Sequence, residues 1–143
     1  GWRIGYGVWP KEYVHIAEQL NINSFSCTNT STQFAAIEAL QGPQVSVELM
    51  ISEFDKRRKI MIKQLNEIKG FECSNSKGAF YLFPKSPIED DAKFVRILQN
   101  SKVLTVPGRG FGLAGYFRIS YSVDDWVLEG SIEGFKKAFE SIK

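Results

Sequence analysis

Residues that often carry catalytic or metal chemistry are scarce in this sequence. Among its 143 residues there are two cysteines, Cys27 and Cys73, and one histidine, His15. The cysteines do not form a Cys-x-x-Cys pair, which excludes zinc ribbons, thioredoxin-type motifs and disulfide scaffolds. One bridge between them is formally possible, but two reduced thiols in a cytoplasmic protein are the simpler interpretation. His15 has no Ser-His-acid or Cys-His partner in view, so we interpret it as a helix surface residue.

Long apolar runs and a strong excess of one charge are missing as well. No segment approaches the roughly 20 apolar residues that a membrane-spanning helix needs. A net charge of +2 is too small to predict a nucleic-acid or anionic-membrane partner. The hydrophobic fraction of 43% and the charged fraction of 24% exclude disordered and collagen-like chains. No His/Cys cluster has metal-ligand spacing, so we expect no metal site. Together with the short apolar runs and the small net charge, we expect neither a membrane nor a nucleic acid as a partner.

Periodic apolar positions predict five helices. These cover residues 11–20, 32–40, about 44–69, 90–100 and a last helix that opens at Ser122 with Asp125 as a weak capping box. The last helix repeats its apolar residues at steps of four and three: Leu128, Ile132, Phe135, Phe139 and Ile142. Residues 21–33, rich in Asn, Ser and Thr, are expected to form a polar loop.

Short β-branched and aromatic runs predict the strands. They are residues 2–9, 71–73, 79–83, 103–106 and 116–122. The segment after about Phe54 therefore has the pattern of a compact α+β module. The segment before it has the pattern of an edge of another domain.

Several charged and glycine-rich features have a plain structural interpretation. The Arg/Lys cluster of the long helix is interpreted as a solvated face; it comprises Arg57, Arg58, Lys59 and Lys63. The acidic pairs around Asp90 and Asp124 are expected to complement helix dipoles. The glycine loop at residues 108–112 fits a bend between strands better than a phosphate cradle, because it matches no nucleotide-binding motif.

Two arginines stand alone in apolar, strand-like runs. Arg3 lies in Gly-Trp-Arg-Ile-Gly-Tyr and Arg118 in Tyr-Phe-Arg-Ile-Ser-Tyr. A guanidinium that is buried without a partner is costly, so each is expected to be paired. The partner is either a carboxylate of the protein or an anionic ligand, for which the planar fork of an arginine is suited.

Five short motifs occur in order along the chain. They are Gly-Trp-Arg-Ile-Gly-Tyr at 1–6, Gln-Phe-Ala-Ala-Ile-Glu-Ala-Leu at 33–40, Gly-Ala-Phe-Tyr at 78–81, Val-Pro-Gly with Phe-Gly at 106–112, and Phe-Arg-Ile-Ser-Tyr at 117–121. Together the motifs resemble the C-terminal portion of a fold-type I, pyridoxal-phosphate-dependent aminotransferase of the aspartate aminotransferase family, class I/II. The resemblance covers nearly the whole chain.

The resemblance implies an α/β fold of the fold-type I class. Residues 1–45 would be the end of the large, cofactor-binding domain, residues 46–70 a long connecting helix, and residues 71–143 an α+β small domain. In such enzymes the arginine that corresponds to Arg3 binds the phosphate of pyridoxal 5'-phosphate. The arginine that corresponds to Arg118 binds the α-carboxylate of the substrate. The implied substrates are an amino acid, aspartate-like by resemblance, and a 2-oxo acid. A homodimer is implied as well, with Asn29 or Thr30 near the neighbouring cofactor, and we expect the protein to be cytoplasmic.

The chain also departs from the family pattern. The lysine that forms the Schiff base belongs to a Ser-Lys segment that would precede Gly1, so no catalytic residue is assigned here. We therefore expect a fragment that is inactive by itself, from an enzyme that is active at full length. Two alternatives stay open at this point: an aromatic or alanine-type aminotransferase of the same family, and a non-enzymatic anion-binding or interaction module.

Overall fold

The computed structural model describes residues 1–142 and divides the chain into two compact units. The first unit covers Gly1–Glu48 and the second begins at Leu49. Five α-helices and three short β-strands lie in the described residues. Mixed helix and sheet agree with the predicted fold class.

The first unit contains two helices and little buried surface. Helix α1 spans Lys11–Phe25 and helix α2 spans Thr30–Gln41. The side chain of Asn29 caps α2 by accepting a hydrogen bond of 3.3 Å from the backbone N–H of Thr32. Thr32 is the buried residue of this unit, while Trp2, Phe25 and Phe34 are largely exposed. The first unit therefore has almost no apolar core of its own.

A long helix, α3, spans Val45–Asn66, and only part of its apolar stripe is buried. Met61 and Leu65 near its C-terminal end are buried in the core of the second unit. Met50 and Ile51 near its N-terminal end are exposed although they continue the same apolar spacing. The helix ends three residues before the predicted Lys69.

A small antiparallel sheet positions the candidate site. Its strands are β1 (Tyr81–Leu82), β2 (Val106–Pro107) and β3 (Phe117–Ser120), in the spatial order β1-β3-β2. Residue pairs Leu82–Ile119 and Pro107–Phe117 set the register. The central strand β3 pairs with β1 along one edge and with β2 along the other, so it is held from both sides.

Helices α4 (Asp91–Asn100) and α5 (Asp125–Glu140) complete the core of the second unit. Their apolar faces pack with the end of α3 and with one face of the sheet. The ring of Phe94 meets Phe117 at 5.2 Å between centroids, and Phe71 meets Phe139 at 5.0 Å, both edge to face. The predicted apolar positions of α5 are confirmed as buried at Leu128, Ile132, Phe135 and Phe139.

Several local predictions were wrong. Residues 1–10 and 71–73 form no regular strand, and residues 103–105 lie outside β2. The expected polar loop is mostly helical, because α1 continues to Phe25 and α2 starts at Thr30. The last helix begins with Asp124 at the N-cap position and makes no side-chain cap bond, so the proposed capping box from Ser122 does not form.

The aromatic core predicts a large cost for its loss. Replacing Phe94 by Ala in the 143-residue chain should lower the free energy of unfolding by about 3–5 kcal/mol, because it leaves a cavity at a fully buried ring. Leu104→Ala is the matched control at an exposed side chain and should stay within about 0.5 kcal/mol of wild type. Urea unfolding followed by circular dichroism measures both. Equal losses in the two variants would contradict the core described here.

Candidate anion-binding site

Arg118 projects from the face of the sheet opposite the core. In β3 the alternation places Phe117 and Ile119 in the core, while Arg118 and Ser120 face the other way. Val106, opposite Arg118 in the register, is exposed. The lone charge inside an apolar run is thus explained by strand periodicity, and the guanidinium is half-buried rather than enclosed.

Two aromatic rings hold the guanidinium of Arg118. Its central carbon Cζ lies 4.3 Å from the ring centroid of Tyr81 and 4.5 Å from that of Phe111. Tyr81 comes from β1 and Phe111 from the turn that follows β2. Cation–π contacts of this kind engage the faces of the planar group. The N–H donors lie along its edges, where they can bind an anion.

Within residues 1–142, Arg118 has neither a carboxylate within 4.0 Å nor a hydrogen-bond acceptor for its side chain. The interpretation of Arg118 as half of an internal ion pair is therefore wrong for the described residues. The interpretation as a ligand-binding arginine stays a prediction. A carboxylate fits the geometry, because it can accept two parallel N–H bonds from one edge of the fork.

A short 3-10 turn at Gly108–Phe111 connects β2 to β3 and carries Phe111. A side chain on Gly108 would meet the backbone, since a Cβ there would lie 2.7 Å from the Tyr116 carbonyl oxygen. Gly112 ends the turn with φ +80, which favours glycine. This glycine loop is the predicted bend between strands.

An ion pair ties this turn to the start of α4. The buried carboxylate of Asp91 accepts hydrogen bonds from the backbone N–H of Arg109 at 2.8 Å and from its Nε at 2.6 Å. Asp90 accepts a further bond of 2.8 Å from Nη2 of Arg109 and caps α4 through the N–H of Lys93. The Arg109 side chain lowers the pKa of Asp91 below its ordinary value. The acidic pair thus serves the helix start, as expected, and also binds the turn.

The Arg/Lys cluster of α3 is only partly a solvated face. Arg57 donates to Asp125 at 3.0 Å and to the carbonyl oxygen of Val123 at 2.6 Å, and Arg58 pairs with Asp55. Both arginine side chains are at least four-fifths covered, so for them the prediction was wrong. Lys59 and Lys63 are exposed, as predicted.

Arg3 lies in the first unit and is exposed. Its backbone has φ +56, in the left-handed region that is uncommon for a residue with a side chain. The expectation of a charge enclosed in a strand was wrong, because residues 1–10 are irregular. No carboxylate of residues 1–142 lies within 4.0 Å of its guanidinium, so the donors of Arg3 can take a phosphate.

The aromatic residues that hold Arg118 were not identifiable as site residues from the sequence. Tyr81 and Phe111 stood in the quoted motifs, but no role was assigned to them. Tyr81 is opposite Ser120 and therefore lies on the same face of the sheet as Arg118. This proximity follows from the pairing of β1 with β3, which the sequence pattern does not show. His15 is exposed on α1, as expected.

No helix within residues 1–142 has both the length and the apolar character to cross a bilayer. No group of three or more His, Cys, Asp or Glu side chains in the same residues could hold a metal ion.

Residues 1–134 match the family described as aminotransferase class I and II, and the chain belongs to this family. It is 37% identical over 150 residues to a probable aspartate/prephenate aminotransferase of Aquifex aeolicus and 36% identical over 149 residues to an aspartate aminotransferase of Geobacillus stearothermophilus. Each match covers 99% of this chain but only 38% of the relative. The chain therefore spans about two-fifths of the length of these curated relatives.

Solved structures give the same result. The aspartate aminotransferase from Rhizobium meliloti is 32% identical with a TM-score of 0.86, covering 97% of this chain and 38% of that one. An aromatic aminotransferase from Pyrococcus horikoshii is 35% identical with a TM-score of 0.86, covering 99% of this chain and 39% of that one. The fold-type I class predicted from the motifs is confirmed.

The paired Asp91 predicts acid sensitivity. Because its pKa is lower in the folded protein than in the unfolded chain, the stabilisation is complete above the ordinary value of about 3.9 and is lost as pH falls through the folded value. Asp91→Asn should therefore be less stable than wild type at pH 7, and this gap should shrink below about pH 4. Urea unfolding of both proteins from pH 7 to pH 3 measures the gap.

The control is Asp124→Asn, which changes an exposed carboxylate whose side chain makes no cap bond. It should unfold close to wild type at pH 7. A pH-independent gap between wild type and Asp91→Asn would contradict the charge-based explanation.

Proposed function

We propose that this chain is the C-terminal part of a pyridoxal 5'-phosphate-dependent aminotransferase. In this proposal the full-length protein transfers an amino group between an amino acid and a 2-oxo acid. The observation that carries it is Arg118, a guanidinium held between two rings with its donors unpaired in the described residues. Family membership supports the reaction class. A non-enzymatic binding module finds no support among the relatives, which are named as aminotransferases.

The residues present suit the cofactor and the substrate. Arg3, exposed and unpaired within residues 1–142, would hold the phosphate group of the cofactor. Arg118 would bind the α-carboxylate of the amino acid through two parallel hydrogen bonds and so orient the bond that breaks. When bound, the cofactor supplies an electron sink for the charge left by loss of the α-proton. The chain provides binding and orientation, and the proton-transferring lysine is proposed to lie in the preceding part of the protein.

An aspartate-like amino acid is the proposed substrate. Support comes from the names of the relatives from Aquifex aeolicus and Geobacillus stearothermophilus, which specify aspartate/prephenate and aspartate, respectively. Aromatic and alanine aminotransferases also occur among the similar structures, so these amino acids belong in the test. Arg118 itself does not discriminate, because every α-amino acid carries the carboxylate it binds.

We also propose that the full-length protein is a cytoplasmic homodimer. Trp2, Trp9, Phe25, Phe34 and Leu40 each expose more than half of their surface in the first unit. Apolar side chains exposed in such number are typical of a surface that another part of the protein or a partner covers. Size-exclusion chromatography with light scattering on the full-length protein tests the dimer.

Turnover by the full-length protein tests the proposed reaction. Aspartate, phenylalanine and alanine are each supplied with 2-oxoglutarate, and glutamate formation is measured with and without added pyridoxal 5'-phosphate. Cofactor-dependent turnover, fastest with aspartate, is expected. Absence of turnover with all three amino acids would contradict the proposal, and a preference for another amino acid would correct the substrate.

Arg118→Lys in the full-length enzyme should raise the KM for the amino acid and lower kcat/KM. A point charge replaces the two parallel donors, and a hydrogen bond between charged groups contributes about 1.5–3 kcal/mol, which corresponds to roughly ten- to a hundredfold. Steady-state kinetics measure the change. Unchanged kinetics would refute the role of Arg118.

Arg3→Ala should weaken cofactor retention more than substrate binding. Its guanidinium contributes to holding the phosphate, so the dissociation constant of pyridoxal 5'-phosphate should rise roughly tenfold or more on losing a charged hydrogen bond. Equilibrium dialysis of the full-length protein measures it. Arg96→Ala, a change in the second unit, is the control and should retain the cofactor like wild type.

A further inference from the structure

The side chain of Phe111 is placed by something other than burial. Phe111 is 49% exposed, so the core does not hold it as it holds the fully buried Phe94 and Phe117. Its aromatic contacts are with the guanidinium of Arg118, at 4.5 Å, and with the ring of Phe83, which it meets edge to face at 6.0 Å between centroids. The backbone of the turn Gly108–Phe111 must therefore determine where this ring lies.

That turn is bound at several points. Gly108 donates to the carbonyl oxygen of Tyr116 at 2.7 Å, and the Gly108 carbonyl accepts from Leu113 at 3.1 Å. On the other side, Arg109 is bound to Asp91 through both its backbone N–H and its side chain. Arg109 is two residues from Phe111, so the ion pair acts next to the ring.

Arg109 is the cationic side chain that is paired with the carboxylate of Asp91. The side chain of Asp91 is fully buried, and its hydrogen bonds come from Arg109 and from the N–H of Ala92. Breaking the pair would leave a buried carboxylate without a counter-charge, which proteins avoid. A shift of the turn would relieve that state, and it would displace Phe111, which lies two residues from Arg109 in the same turn.

We propose that Arg109 and Asp91 form a positioning pair for Arg118. The pair holds the turn so that Phe111 covers one face of the guanidinium while Tyr81 covers the other. Arg118 is thereby restricted to the orientation in which its edge donors meet a substrate carboxylate. This proposal rests on the proposed function, because it assigns Arg118 to carboxylate binding.

The test is a double-mutant cycle in the full-length enzyme. Arg109→Gln and Phe111→Leu should each raise the KM for aspartate by roughly three- to tenfold, the range expected when a preorganised side chain must be ordered on binding, with kcat within about twofold. If both act through the same ring, the KM of the double variant should lie within about twofold of that of the more impaired single variant. Independent effects would multiply.

A second measurement does not depend on turnover. The dissociation constant of succinate, used as a carboxylate probe in calorimetry, should rise in parallel with KM in both single variants. Arg57→Gln is the matched control: it breaks another ion pair of the same unit, with Asp125 at 3.0 Å, that does not touch the turn. It should leave both the KM and the succinate affinity near wild type.

The outcomes separate the two proposals. If Arg118→Lys raises KM but Arg109→Gln does not, the positioning role falls and the proposed function stands. If Arg118→Lys has no effect, the carboxylate-binding role of Arg118 falls and the positioning role falls with it, whereas the proposed reaction fails only if the wild-type protein shows no turnover. Multiplying effects in the double variant, or an equal KM rise in Arg57→Gln, also overturn the positioning role. Should Arg109→Gln fail to fold, Arg109→Lys replaces it, because it keeps the charge opposite Asp91 but loses the paired donors.

Discussion

The two-residue periodicity of strand β3 is the constraint on which the site depends. Phe117 and Ile119 must enter the core, so Arg118 between them has to leave it on the opposite face. A shift of the register by one residue would bury the guanidinium and expose both apolar side chains. The pairings with β1 and β2 prevent this shift, and the same pairings bring Tyr81 beside the arginine. Core packing and ligand binding are therefore secured by one short strand.

The two units differ in how complete they are as folded bodies. The second unit has a continuous aromatic and aliphatic core built from α3, α4, α5 and one sheet face. The first unit consists of two helices and an irregular segment with almost nothing buried. This contrast agrees with a chain that spans about two-fifths of its relatives. It also places the candidate carboxylate site on the unit that has its own core.

Charged residues in this fold have three distinct roles that composition cannot separate. Lys63 is exposed to solvent, Arg57 joins α3 to the start of α5, and Arg118 keeps its donors available. The uniform interpretation of the α3 cluster failed because burial of Arg57 and Arg58 depends on segments that follow much later in the chain. Arg109 belongs with Arg57, since its carboxylate partner is also far away in sequence.

Five ordered motifs were enough to identify the family, and the apolar faces of α4 and α5 could be predicted from the amino-acid pattern, because helical periodicity is local. It also singled out Arg118, since a lone charge in an apolar strand is visible without coordinates. The groups that surround that arginine, in contrast, depend on how distant segments pack together. Tyr81 and Phe111 reach it through antiparallel pairing and a glycine-bounded turn, and Asp91 reaches Arg109 across 18 residues of chain. Such contacts depend on long-range packing, which local residue patterns do not encode.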